Sequence, residues 1–232
     1  MPTTASAFDD LNAQGLNLQA VFNIGDLPQN IKDTLQAYPH YRQLILIGHA
    51  GPLLWQKINK EGMADEHPID SFSQKHVSAW LATRHPQARY HYLYPGPTSI
   101  GLQSLGALAG WHHPSPFMVG INQTWGSWFA YRALVLADTD LPITLTTQSA
   151  SPCTSCASRI CVKSCPANAM QEGFNLNACL SYRRQTNSLC KDRCIARNSC
   201  PVGEEHRYSE AQISYHYGRS MTMIAKIGDE RK

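Results

Sequence analysis

No cysteine occurs in the first 152 residues of this 232-residue chain. No apolar run approaches the roughly 18–20 residues that a membrane helix needs, so no membrane partner is expected. The opening Met1-Pro2-Thr3-Thr4-Ala5 lacks a basic stretch followed by an apolar one, and a secretory leader is therefore not expected either. Only 16% of residues are charged, and the net charge of +3 is too small to argue for a nucleic-acid partner. No P-loop, Ser/His/Asp set or paired-carboxylate motif stands out, and there is no low-complexity tract. The 43% hydrophobic content belongs to an ordinary globular chain and excludes disorder over most of the length. Such a chain is expected in the cytoplasm. Structural disulfides are rare there, and clustered thiols bind metal or do redox work.

What the chain has is eight cysteines, all between Cys153 and Cys200. Charge divides at the same place: residues 1–150 carry a net −2 and residues 151–232 a net +5. The excess is either a solvated basic face or an offset to a buried anion, which thiolate-ligated iron would supply.

The first part reads as an α/β domain over residues 1–148. Apolar spacing at Leu11, Leu16, Ala20 and Val21 predicts a helix through Leu11 to Phe22. Leu44-Ile45-Leu46-Ile47, closed by Gly48, predicts a buried strand, with a turn at His49–Pro52 and a helix from Leu53. A helix capped by Asp70 or Ser71 should run through Val77, Trp80 and Leu81 and stop before Pro86. Arg89 to Tyr94 reads as a strand and Ile100 to Trp111 as a helix. Strands follow at Phe117–Ile121, Trp128–Leu136 and Ile143–Thr147. From Ser149 the composition turns to Ser, Cys, Arg and Asn, which marks a second, mainly helical domain over 149–232. Within it the cysteine-rich segment 153–200, of 48 residues, buries little apolar area and needs a metal to hold it. Ser209 with Gln212 forms a capping-box pattern that opens a C-terminal helix from about Glu210 towards Ile227.

The first cysteine group, Cys153 to Cys165-Pro166, has the spacing C-x2-C-x4-C-x3-C-P. Cys179 stands alone, and Cys190-x3-Cys194-x5-Cys200-Pro201 closes the series. Short loops can aim backbone N–H groups at sulfur, and a proline ends each loop while removing one donor. Two zinc sites with four thiolates each fit the count but not the paired Cys-Pro endings. A disulfide framework and a single plant-type cluster are further alternatives; the plant-type order C-x4-C-x2-C is reversed here.

The paired endings resemble a two-cluster ferredoxin, in which the cysteine before proline serves the other cluster. That resemblance implies one [4Fe-4S] ligand set of Cys153, Cys156, Cys161 and Cys200. The other set is Cys165, Cys179, Cys190 and Cys194. Four spacings are longer than in bacterial ferredoxins, most of all the ten residues between Cys179 and Cys190.

Gly126-Ser127-Trp128-Phe129 leading into a strand, Asp140-Leu141 after it, and Cys179-Leu180-Ser181-Tyr182 between the cysteine groups resemble the epoxyqueuosine reductase group. The ending Cys200-Pro201-Val202-Gly203 and the widened spacings are similar to those of short bacterial ferredoxin-like proteins. The group resemblance implies a corrinoid-binding α/β domain, with cobalamin as its cofactor, followed by a helical domain with two [4Fe-4S] clusters. In that group an acidic residue in a Val-Asp-Thr segment gives the proton for epoxide opening. The corresponding stretch here, Tyr92-Leu93-Tyr94-Pro95-Gly96-Pro97, has no carboxylate, and a tyrosine with its ordinary pKa near 10 is a poor acid at neutral pH.

Other residues have a bland and a sharp reading. Trp125, Trp128, Phe129 and Tyr131 read as core aromatics or as a wall for a planar cofactor. His112 and His113 are adjacent and point apart, which suits a surface pair better than one metal. His49 ends a strand, where ligand sites often lie. Arg183, Arg184, Arg193 and Arg197 either form a solvated face or meet an anion. The expected function is electron transfer through two [4Fe-4S] clusters to a redox partner protein. The alternative is an oxidoreductase in which the clusters feed a cofactor, and so a small-molecule substrate, on the first domain. A third reading gives the metal only a structural role.

Overall fold

The computed structural model describes residues 7–62, 65–98, 100–145 and 149–229. The described chain forms two compact units. The first runs up to His112 and resumes at Phe129; the second takes His113–Trp128 and resumes at Ser149. Residues 113–128, grouped with the first domain by sequence, thus pack with the cysteine segment.

The first unit is built on a four-stranded sheet: β1 (Leu18–Asn23), β2 (Gln43–Ala50), β3 (Tyr90–Tyr94) and β4 (Phe129–Ala137), in the order β1-β2-β4-β3. Every neighbouring pair is antiparallel. β2 is internal and all eight of its residues are buried, which is what the uninterrupted Leu44–Ile47 run requires. Between Ile47 and Gly48 the register against β4 slips by one residue, leaving Arg132 as the extra residue of the bulge. The buried Gln43 amide fastens one end of the sheet. Its Nε2 donates to Leu141 O at 2.8 Å, and its Oε1 accepts from Thr139 Oγ1 and Leu141 N at 2.8 and 2.9 Å.

The described residues of this unit also form the α-helices α1 (Asp9–Ala13), α2 (Gln29–Thr34), α3 (Leu53–Glu61), α4 (Pro68–Arg84) and α5 (Leu102–Leu108). The helix expected over Leu11–Phe22 is instead α1 followed by strand β1. Leu18 and Ala20, alternating residues of β1, bury against β2, and pairing overrides the helical spacing. α4 starts at Pro68, before the expected caps, with Asp70 and Ser71 N–H donating to His67 O at 3.0 Å. It packs against α1, α3 and β4. No strand forms at 143–145; Thr144 instead donates its N–H to Val21 O and accepts from Val21 N–H at its hydroxyl. The rest of that expected strand, through Thr147, lies outside the described residues.

The second unit carries α6 (Ile160–Lys163), α7 (Leu176–Arg184), α8 (Ile195–Asn198) and α9 (Glu210–Asp229). Asn175 caps α7 through Ala178 N–H, and the Cys194 sulfur caps α8 through Arg197 N–H. Ser209 Oγ accepts from Gln212 N–H at 3.2 Å, as the capping pattern predicts. Phe117–Ile121 is no strand. Met118 takes a left-handed φ of 66°, and the segment is closed by the His113–Ile121 bridge and by Met118 N–H donating to Ser115 O. Phe117 and Ile121 instead pack on Cys161, Val162, Met170, Ala196 and Cys200, a core in which thiols fill the place of aliphatic side chains.

Candidate functional site

Cys165, Cys179, Cys190 and Cys194 line one cavity of about 360 Å³ in the second unit. Cys165 closes the first group before Pro166, Cys179 sits on α7, Cys190 lies in the loop after it, and Cys194 starts α8. The remaining wall is largely apolar, with Phe117, Val119, Met170, Phe174 and Leu180. Burial pushes the Cys179 thiol up, followed by the nearby Cys194, with smaller effects from Cys165 and Cys190. Burial also raises Cys190, with Cys194 and Cys165 adding to it.

The other four cysteines act on one another in the same way. Burial raises Cys153, then Cys200, Cys161 and Cys156 raise it further. Burial raises Cys161, with Cys200 and Cys156 adding to it, and raises Cys200, with Cys156 adding to it. Cys200 thus acts on Cys153 and Cys161, and Cys165 acts on Cys179 and Cys190. All eight are free thiols.

Backbone N–H groups point at several of these sulfurs. The backbone N–H groups of Arg159 and Ser158 pull the Cys156 thiol down, and those of Val162, Ile195 and Val202 pull against the upward shifts of Cys161, Cys190 and Cys200. Arg197 N–H donates to Cys194 Sγ at 3.5 Å. The Cys156 thiol is held below the usual range, first by the Ser158 hydroxyl and then by Arg159 N–H. Such donors favour the thiolate over the thiol. Among the described residues no three His, Cys, Asp or Glu side chains converge where a single metal ion could sit.

Arg197 and Arg183 depart from the solvated-face reading, since their exposures are 8% and 9%. Arg197 donates from Nε to Ser127 Oγ at 3.1 Å and from Nη2 to Ser127 O at 2.5 Å, and its guanidinium lies 4.5 Å over the Trp128 ring. Arg183 donates to Cys190 O at 2.9 Å, Tyr217 O at 3.2 Å and Ser220 Oγ at 2.8 Å, and it lines the cavity. Arg184 donates to Ile224 O, and Arg193 pairs with Asp192 at 3.1 Å. Tyr217, which sequence reasoning missed, also lines the cavity, and burial pushes its hydroxyl up to about 12 against the pull of Arg197. Tyr217 lies on α9, far along the chain from these cysteines, whereas Arg183, named from the sequence, follows Cys179 by four residues on α7 and shares its face.

The first unit places its singled-out residues differently. Tyr92 donates to Gln74 O at 3.1 Å and shares a hydrogen bond with Ser78 at 2.9 Å, and burial pushes its hydroxyl up to about 12. Burial also raises Tyr94. Neither is poised to give a proton at neutral pH. His49 is buried and accepts at Nδ1 from Arg132 Nε at 2.9 Å. His112 Nδ1 meets the Tyr131 hydroxyl at 3.1 Å, and His113 meets Ser149 at 3.2 Å, so the two neighbours do point apart. Trp128 and Phe129 are buried as core residues of the second and first unit respectively. Among the described residues no helix is long and apolar enough to cross a membrane.

No family model matches the chain, and no curated protein sequence does. Among solved structures it is similar to an epoxyqueuosine reductase bound to an epoxyqueuosine-modified tRNA-Tyr stem loop, with a TM-score of 0.56 and 13% identity over 90% of this chain and 67% of that one. It is also similar to epoxyqueuosine reductases from Streptococcus thermophilus (TM-score 0.52, 13% identity, 88% and 66%) and Bacillus subtilis (0.54, 12%, 88% and 66%). The chain spans about two thirds of the length of these proteins. At such identity the likeness is one of fold.

Proposed function

We propose that this protein, which shares the fold of epoxyqueuosine reductases, holds two [4Fe-4S] clusters and passes single electrons through them. Cys153, Cys156, Cys161 and Cys200 would hold one cluster; Cys165, Cys179, Cys190 and Cys194 would hold the other. The observation that supports this is the cavity in which Cys165 joins Cys179, Cys190 and Cys194, together with the action of Cys200 on Cys153 and Cys161. Each group of four is completed by a cysteine from the other stretch of chain, and that cysteine precedes a proline, as the two-cluster ferredoxin pattern requires.

The donor set fits the group. Four thiolates are what each cluster takes from protein, and the clusters when bound would supply one-electron chemistry at low potential. Two zinc sites would also take four sulfurs each but leave the paired Cys-Pro endings unexplained. The chain's own groups do the rest. The N–H groups of Val162, Ile195, Arg197 and Val202 stabilise negative charge on sulfur. Phe117, Met170 and Phe174 keep water from the second site. Protein purified without oxygen should show a visible chromophore that dithionite bleaches and air restores, with an electron-spin signal in the reduced state. A colourless protein with no such signal would end this reading.

A second reading, a corrinoid-dependent reductase, is favoured by a fold likeness that extends over 88–90% of the chain and so includes the first unit. Epoxide opening by the acid of the reductase group is not part of it, since Tyr92 is bound into α4 and no carboxylate stands in Tyr92–Pro97. Titration of the reduced protein with cobalamin tests it; an unchanged cobalamin spectrum would leave the electron carrier alone.

A further inference from the structure

Arg183 and Arg197 are two guanidinium groups withdrawn from water, and every acceptor the described structure gives them is neutral. Arg183 meets Cys190 O, Tyr217 O and Ser220 Oγ; Arg197 meets the hydroxyl and carbonyl of Ser127 and stacks over Trp128 and Tyr208. Neither forms an ion pair with a carboxylate among the described residues. A buried cation without a counter-charge is strongly destabilising, which calls for an anion nearby. Arg183 lines the cavity of Cys165, Cys179, Cys190 and Cys194, and its charge acts on Cys179 and Cys190. The charge of Arg197 acts on Tyr217, which also lines that cavity.

The cations that act on the first thiol group are placed differently. Arg159, which acts on Cys156, is exposed. Arg207, which acts on Cys200, has its own carboxylate, Glu204 at 3.2 Å. Burial does not offset the difference, because both groups contain buried thiols: Cys161 and Cys200 in one, Cys190 in the other.

On the reading of two [4Fe-4S] clusters, we infer that Arg183, supported by Arg197, makes the Cys165/Cys179/Cys190/Cys194 site the one of higher reduction potential. A cluster that gains an electron gains one negative charge, and an uncompensated cation beside it stabilises that state. One electron supplied by dithionite, with no proton, therefore rests at this site before the other one fills. Arg183 is a positioning charge and ligates nothing.

The test is a redox titration of the holoprotein, followed by electron-spin resonance under anaerobic conditions. Cys156→Ser and Cys190→Ser assign each wave to its site. The wild type should give two waves, with the upper one lost in Cys190→Ser. Arg183→Met should lower the upper wave alone, by at least a tenfold change in electron partition, or about 59 mV for a one-electron couple. Arg183→Lys, which keeps the charge, should leave that wave nearer its wild-type position and serves as the measure if the Met variant fails to load. A single wave, an upper wave belonging to the first site, or an upper wave unmoved in a fully loaded Arg183→Met would overturn the inference while leaving the cluster reading intact. Protein that carries no iron and sulfide would overturn both.

Discussion

Gly126 and Gly203 meet backbone to backbone in the second unit. A side chain on Gly126 would run into Val202 O, and one on Gly203 would run into Gly126 N and the Trp125 carbonyl carbon. Both have left-handed φ angles, 55° and 66°, which glycine adopts without penalty. This close approach seats the loop after Cys200 against the segment that leads to Ser127, and Ser127 in turn holds Arg197. Gly203→Ala should therefore strain the backbone and push the loop away, at a cost of about 1–3 kcal/mol. The damage should fall first on the site that Cys200 completes. Iron analysis of the variant should show about one cluster's worth gone, with the Cys165 site still loaded.

The cross-over of Cys165 and Cys200 separates this account from one cluster per stretch of chain. Cys165→Ser should remove the same spectroscopic signal as Cys190→Ser, and Cys200→Ser the same signal as Cys161→Ser. If Cys165→Ser instead matched Cys161→Ser, each stretch would form its own site and the pairing would be wrong. Electron-spin spectra of the four reduced variants decide this.

Arg197 cannot be replaced well even by lysine. A lysine lacks the planar fork that reaches both oxygens of Ser127 and the face that stacks on Trp128. Arg197→Lys should cost about 2–3 kcal/mol, because it weakens the charge-assisted hydrogen bonds and the cation–π stacking at once. Denaturant unfolding of the holoprotein measures it.

Tyr92 ties β3 to α4, and its titration has a definite sign. Its hydroxyl is pushed from 10 up to about 12, with burial the main cause. Its neutral-state stabilisation is fully present below pH 10 and disappears as the pH rises through 12. Tyr92→Phe should cost about 1–2 kcal/mol near neutral pH, from the hydrogen bonds to Gln74 O and Ser78. The gap between variant and wild type should narrow above pH 10. Urea midpoints across that range provide the check.

What could be read in the sequence follows from how local each cause is. The Leu44–Ile47 run is buried on both faces, so its pattern needs no knowledge of its partners. The Cys-Pro endings carry their chemistry within a few residues. Ala20 and Val21 fit a helical period and also a strand, and pairing with β2 decides between them. Phe117–Ile121 has strand composition, yet its burial depends on thiols some forty to eighty residues further along the chain. The arginines were least legible, because the sequence shows charge without showing that the chain folds over Arg183 and Arg197.

Iron and acid-labile sulfide, measured together on protein purified without oxygen, test the central claim most directly. The account predicts the two in equal amounts, at two [4Fe-4S] clusters' worth per chain, with zinc absent. Zinc without sulfide would contradict it.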